Sequence, residues 1–519
     1  MMIASVPIFW ISIALPIVLG IAAWLSGDRW RRGYSYASAL SLLIPLGIVA
    51  YFYASGAESL VDPIGFNLTS YRIGYMYLGV DGLSSPVVIA LSIVTAFVSI
   101  YGLKYMGHRI EEMRSAGESP PDYGAYQFLY NVFAATMLGV AFATNLVEFY
   151  IFLEGTLISS FLLIMYYGYG ERLKISMLYF VWTHIGAVTF LAGALYYGVV
   201  EGAFDYLVLR GTNLVPVGPA TALGSMAVVV ALLMFVGLAV KMALFGVHMW
   251  LPYAHAEAPT PISALLSPSL IGLAGYAMAR FLVQYFPTIM ESWRPFLMGL
   301  AFLTIVYAGL NALRQTDFKR LLAYSSVSQM GYMLLGIATL TQYGLVGSML
   351  LYASHAVGKA LLFMTAGVFI VEMHNLRDIG RMGGLARRYP LVAALALFGF
   401  MNLSGLPPAL GFWSELFIVL GVVQTYAMNG LGYMVGMTAL LMLALSVTAA
   451  YSFVTMRRIF YGQPRSDQGS AKEVIDPFKL SMLAIAILGF ALFIMVNPMI
   501  SGVAAWLRLI LGAGLGGVV

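Results

Sequence analysis

The sequence predicts an all-α, polytopic membrane protein of about fourteen transmembrane helices, and three observations predict it. Hydrophobic residues fill 61% of the 519 positions and charged residues only 9%, against roughly 25% charged in an ordinary soluble domain. Apolar runs of about 20 residues, the length that crosses the hydrocarbon of a bilayer, recur along almost the whole chain. The runs are continuous rather than alternating, which excludes a β-barrel. Helices are then the remaining way to satisfy backbone N–H and C=O groups in lipid.

In chain order the spans fall near 3–25, 34–54, 82–106, 126–144, 146–168, 173–200, 223–248, 259–285, 295–313, 319–341, 344–371, 388–426, 430–460 and 479–500. The run from Ile3 to Leu25 is too long for a signal h-region and no basic segment precedes it, so it reads as the first span. The twelfth carries Pro407 and Pro408, which should break it in the middle.

Orientation follows from the cations. Twenty of the 27 fall in one set of alternate loops: Arg29, Arg31, Arg32, Lys104, Arg109, Arg114, Arg172, Lys174, Arg314, Lys319, Arg320, Arg377, Arg381, Arg387, Arg388, Arg457, Arg458, Arg465, Lys472 and Lys479. Five (Arg72, Arg210, Arg280, Arg294, Arg508) fall in the other set. The rich side is expected to be cytoplasmic, which puts both termini outside the cell membrane. The net charge of +5 is therefore a topology signal and not a sign of nucleic acid.

Absences narrow the chemistry. The chain has no cysteine, so it offers no disulfide, thiolate metal site or cysteine-ligated iron–sulfur cluster. It has no phosphate-binding loop and no strand-flanked dinucleotide fingerprint. Any redox chemistry is expected on a partner, with no cofactor or metal held here. The aromatic content of 14% and the 30 methionines fit lipid belts and helix packing.

Two cations remain, Lys241 and Lys359, and both fall inside apolar spans. A charge at that depth costs at least ~2.5–3.5 kcal/mol, so such groups ordinarily face a wet or paired interior. Glu154 and Glu415 also lie inside spans, and His355 is one helical turn before Lys359 on the same face. Two acids and two lysines on four spans, with histidines near them, suit a relay of proton-exchanging groups. The competing reading is a set of ion pairs that only fix helix packing. His248 and His255, near the cytoplasmic end of a span, suit proton uptake or, equally, packing. His184 reads as a satisfied core histidine, His108 and His374 as loop residues. Glu148 lies on another face from Glu154 and reads as a subunit contact or near-surface acid.

Spacing also hints at a duplication. Lys241 and Glu415 are 174 residues apart, His184 and His355 are 171 apart, and the spans near 126 and 295 share about that offset. The expected organisation is helices 1–3 in 1–125, a five-helix repeat in 126–285, a second in 286–460, and a loop, helix 14 and tail in 461–519. An odd number of spans per unit makes the two copies inverted, each with a broken helix.

At 241–260, KMALFGVHMWLPYAHAEAPT, the chain resembles the proton-conducting, antiporter-like subunits of respiratory complex I. The resemblance continues through QTDFKRLLAYSSVSQMGY at 315–332, SHAVGKALLF at 354–363, LRDIGRMGGL at 376–385 and GLPPALGFWSE at 405–415. It covers roughly residues 80–460 and is nearest the M (chain 4) type, because Glu415 stands where sister subunits carry lysine. The resemblance implies fourteen helices with two inverted five-helix units, and a Glu154–Lys241 pair that couples to a neighbouring subunit. It also implies a central relay linked by water, and Glu415 as the terminal group. It further implies other membrane-arm subunits as partners, which would carry the quinone site, the iron–sulfur clusters and a flavin or other donor.

The departures are specific. Ala243 and Gly246 replace the family's prolines, Tyr253 an aspartate, and Gln329 a histidine. Gly272 stands where the M type has its central lysine, so the central relay must rest on His355 and Lys359. Two other readings stay open: a subunit of a multisubunit Na⁺/H⁺ antiporter or membrane-bound hydrogenase, and a structural subunit that has lost translocation.

Overall fold

The computed structural model describes residues 6–71, 73–210, 213–427, 430–463 and 473–512. Arg72, Arg465 and Lys472, counted above as loop cations, lie outside the described residues. Within them, thirteen helical stretches are long and apolar enough to cross a membrane, and two shorter helices make up a fourteenth crossing.

The first crossing is α1 (Ile8–Ser26), and α2 (Arg31–Leu42) with α3 (Ile44–Ser55) makes the second. Then come α4 (Ser85–Ser115), α5 (Tyr123–Phe142), α6 (Leu146–Tyr167) and α7 (Arg172–Glu201). The next are α8 (Ala227–Met242), the short α9 (Trp250–Glu257) and α10 (Thr260–Val283). α11 (Pro287–Arg314), α12 (Phe318–Thr339) and α13 (Gln342–Glu372) follow. The chain continues with α14 (Pro390–Leu403), α15 (Gly411–Ala427), α16 (Leu431–Met456), α17 (Pro477–Ile494) and α18 (Asn497–Gly512).

Several starts are written locally. Asp122, Asn145, Asp317, Thr341 and Asp476 each cap a helix by accepting a backbone N–H of its first turn. The expected break in the twelfth span is present, between α14 and α15, around Pro407 and Pro408.

The layers follow from burial. α10 is wholly buried, α12 and α13 almost so, and α4 largely so, whereas α1, α7, α16 and α17 keep most of their surface outward. Lys359 therefore lies on one of the most enclosed spans, whereas the spans of Glu154 and Lys241 are about half buried, at 50% and 56%.

Two features were not anticipated. Antiparallel hairpins β1 (Ser59–Asn67)–β2 (Tyr75–Asp81) and β3 (Leu207–Arg210)–β4 (Asn213–Pro216) cover the face opposite the cation-rich loops. The last apolar run also ends at Ile494, and the expected tail is the separate helix α18. α18 buries Met499, Val503, Trp506, Leu507 and Ile510, the spacing of a one-sided helix.

Four cations assigned above to loops are in fact buried: Arg109, Arg280, Lys319 and Lys479. Each has found oxygen. Arg109 donates to the carbonyls of Tyr167 and Gly168 (3.2 and 2.6 Å) at the end of α6, where free carbonyls and the helix dipole favour a cation. Lys479 holds Glu372 at 2.8 Å, Lys319 donates to the Ala258 carbonyl, and Arg280 grips both oxygens of Asp81 at 2.7 Å.

Candidate functional site

The site is built around two interrupted spans. α8 stops one residue after Lys241. Ala243 adopts φ 57°, a left-handed helix end that glycine usually provides. Its N–H and that of Leu244 reach back to the carbonyls of Val240 and Ala239 (3.2 and 3.1 Å). Gly246 at φ 89° then turns the chain toward α9, and Trp250 Nε1 donates to the Val240 carbonyl at 3.0 Å. The break expected near Lys241 is thus present without the family's prolines. The Lys241 ammonium is buried there with no hydrogen-bond or ion-pair partner among the described residues.

Glu154, on α6, does not touch it. Its Oε2 lies 3.1 Å from His184 Nδ1 on α7, and its Oε1 has no partner. His184 is no core residue: its side chain is 42% exposed on the outward face of α7, against 15% for Glu154, and stacks on Phe180. An outward His184 thus screens an inward acid.

Glu148 is also placed differently from expectation. It is 4% exposed, and its Oε2 accepts the Thr144 N–H at 3.0 Å just ahead of the α6 cap at Asn145. The local pattern is Asn145 with an acid three residues on, the signature of a reciprocal helix cap. That signal is present in the sequence and accounts for one oxygen, while Oε1 is buried without a hydrogen-bond partner.

The centre is formed by α10, α12 and α13. α10 widens into π turns at Leu266–Leu270 and Met278–Val283; the first contains Pro268, which cannot donate into the helical ladder. Such bulges are frequent at functional sites. His355 packs against this segment fully buried, its ring beside the Ser267 backbone, and neither nitrogen makes a hydrogen bond of good geometry. Lys359, also fully buried, donates to the Leu322 carbonyl at 2.8 Å and to Ser325 Oγ on α12. Gly272 has no room for a lysine: a Cβ there would sit 2.6 Å from the Tyr352 ring, whose hydroxyl donates to the Ser269 carbonyl at 3.1 Å.

Beyond the second break, Glu415 lies against Gly405, which holds φ 61°. A Cβ at 405 would stand 2.0 Å from Glu415 Oε2, so glycine is required for both its conformation and its space. Glu415 Oε1 has no partner. The carbonyls freed at the end of α14 are taken up by neighbours: Gln329 Nε2 donates to Leu403 (2.9 Å) and Ser354 Oγ to Asn402 (3.0 Å).

The two uptake candidates differ in setting. His255 is fully buried, stacked on Phe363, with both nitrogens unpartnered, and faces the charges of Lys319 and Lys359. His248 is wedged beside Phe245 and Tyr307 with Nδ1 unpartnered. Glu257 closes α9, two residues after His255. Burial pushes its carboxyl above the usual carboxylate value, against the pull of Arg377, Lys319 and Arg320. No group of acids and histidines able to hold a metal ion is present among the described residues.

Lys241, His255, His355 and Glu415 each keep at least one buried polar atom free of a fixed partner. Buried polar groups are ordinarily satisfied. Groups left open at this depth can change protonation or partner without first dismantling a strong pair.

A bundle of fourteen crossings with two broken helices and buried acids and lysines within its spans defines an antiporter-like membrane subunit. The chain belongs to the NADH:quinone oxidoreductase/Mrp antiporter transmembrane family, whose model matches residues 143–442. It is 31% identical to NADH-quinone oxidoreductase subunit M of Rhodobacter capsulatus, over 88% of this chain and 86% of that one. It is 30% identical to F(420)H(2) dehydrogenase subunit M of Methanosarcina mazei, over 94% of both. Among solved structures, respiratory complex I from Thermus thermophilus contains a chain that superposes with a TM-score of 0.78 at 26% identity. That match covers 98% of this chain and 100% of the other.

Proposed function

We propose that this chain moves protons across the membrane as an antiporter-like subunit in the membrane arm of a complex I-like quinone oxidoreductase. The observation that carries the reading is that Lys241, His355 and Glu415, on three different spans, each keep a buried polar atom outside any fixed hydrogen bond. Glu154 and Lys241 act as the coupling element, His355 and Lys359 as the central carriers, and Glu415 as the terminal group. Uptake runs from the cation-rich face through His255, with His248 a weaker second inlet. The two broken spans belong to the two five-helix units, 126–285 and 286–460. Electron transfer, with its quinone, iron–sulfur clusters and flavin or other donor, belongs to partner subunits. The names of the two relatives above, both oxidoreductase subunits, favour this reading over a cation/proton antiporter or a hydrogenase complex.

The test is gentle affinity purification from native membranes, with every co-purifying subunit identified by mass spectrometry. Iron–sulfur and quinone-site subunits without hydrogenase chains are expected. Recovery of antiporter subunits alone would overturn the redox assignment. Unchanged proton transport in an intact complex carrying Lys241→Ala would overturn translocation by this chain.

A further inference from the structure

A cleft of about 800 Å³ opens between α2, α4 and α17, at the ends of these helices nearest the cation-rich loops. Its mouth carries Arg31, Arg32 and Lys104, facing Glu111 and Asp476. These charges are not equally free. Lys104 is held by Glu372 at 2.7 Å and by Asp476 at 2.8 Å, and lies over the Phe478 ring. Arg31 and Arg32 are exposed and form no ion pair or side-chain hydrogen bond among the described residues. Glu111, on the other wall, is the one acid of the cleft left to oppose them.

The deeper wall is apolar, formed by Ile100, Leu103 and Phe478. It continues onto the outward face of α2, where Tyr36 and Leu40 are 45% and 72% exposed. The cleft is therefore amphiphilic along the membrane normal, with two free guanidiniums at the boundary and hydrocarbon-like surface below them. Paired guanidiniums match a phosphate diester by bidentate hydrogen bonding. Basic pockets between spans on the cation-rich side are where anionic headgroups bind.

We propose that this cleft is a binding site for one anionic phospholipid, its phosphate held by Arg31 and Arg32 and its acyl chains lying along Leu40, Ile100 and Leu103. The same guanidiniums would attract a free phosphate ion, but a free ion makes no use of the apolar wall. The lipid ties α2 to α4 and α17.

The experiment uses the intact complex, delipidated in mild detergent and titrated with phosphatidylglycerol or phosphatidylcholine of the same chain length. Bound lipids are counted by native mass spectrometry. The wild type is expected to take up phosphatidylglycerol selectively, and Arg31→Gln/Arg32→Gln to bind one fewer, with affinity at that site weakened roughly thirtyfold. Arg31→Lys/Arg32→Lys should keep most of the binding while subunit composition is unchanged, which separates a lost site from a lost fold. Equal binding of phosphatidylcholine, or an unchanged lipid count in the glutamine variant, overturns the proposal. Displacement of the lipid by excess inorganic phosphate overturns the lipid in favour of a free anion.

Discussion

Lys359 is the residue whose loss should separate folding from transport most cleanly. Its ammonium donates to the Leu322 carbonyl and to Ser325 Oγ, and no carboxylate pairs with it. Replacement by methionine keeps the length and removes the charge. The Leu322 carbonyl retains two donors, Ser325 Oγ at 3.0 Å and Ser326 Oγ at 2.9 Å, so no acceptor is stranded. Removing a buried charge that leaves no unpaired partner is close to neutral for folding, within about 1–2 kcal/mol. Transport should respond differently. On the proposed function, a proton crossing this region without Lys359 must be held at membrane depth without a basic site. At ~3 kcal/mol for a charge at that depth, the rate falls by more than about a hundredfold. The assay is acidification of inverted membrane vesicles recorded together with electron transfer, on membranes whose complex is shown to be assembled. An unchanged ratio of protons moved to electrons transferred in Lys359→Met would refute the reasoning.

Three further outcomes follow from the same geometry. Arg280→Met strands Asp81, whose side chain is 5% exposed, and should cost about 3–5 kcal/mol; Asp81→Asn in the same chain should recover much of it, as measured by thermal stability of the complex. Gly272→Lys meets the Tyr352 ring and should destabilise by about 1–3 kcal/mol. Adding Tyr352→Ala should relieve the clash and, in the Lys359→Met background, return part of the transport; no recovery would mean that position 272 is off the path. Glu257 has a native carboxyl value raised by burial, so its contribution is full below the unfolded value and is lost as pH rises through the native one. Glu257→Gln should therefore raise the thermal midpoint at pH 8 and leave it unchanged at pH 4, and a lower midpoint at pH 8 would contradict this.

Sequence reasoning located the spans closely because hydropathy reports directly on transfer to lipid, and each run is long enough to leave little choice. The second break was legible for a local reason, two prolines in the middle of an apolar run. The first was harder: Ala243 must take a left-handed conformation that its identity does not advertise. Pairings across the bundle were not legible at all. Asp81 and Arg280 are 199 residues apart, and a cation near a span end looks the same in sequence whether it points to water or to a buried acid. His184 reads as a core residue in sequence because the outward face of α7 is as apolar as an inward one, so periodicity gives no sign of direction. Glu148 differs from these, because its spacing from Asn145 is a local capping signal that places one of its oxygens at the start of α6.

That outward histidine bears most on how the coupling element works. Glu154 Oε2 lies by His184, while the Lys241 ammonium has no partner. Glu154 thus has two candidate partners, the His184 imidazole on α7, which it contacts, and the Lys241 ammonium at the end of α8. Tyr150 and Tyr179 are the other titratable groups that face it, and neither supplies a charge at neutral pH. On the proposed function, transport needs Glu154 to alternate, bound to His184 when Lys241 must release a proton and to Lys241 when it must hold one. His184→Leu removes the first option and leaves Glu154 with Lys241 alone. Although Glu154 and Lys241 are both intact, the variant should assemble normally and lose transport, because the pair locks closed. His184→Gln, which can still donate to Glu154, should retain a substantial part of the transport. If His184→Leu transports as well as the wild type, Glu154 does not alternate, and its contact with His184 is packing alone.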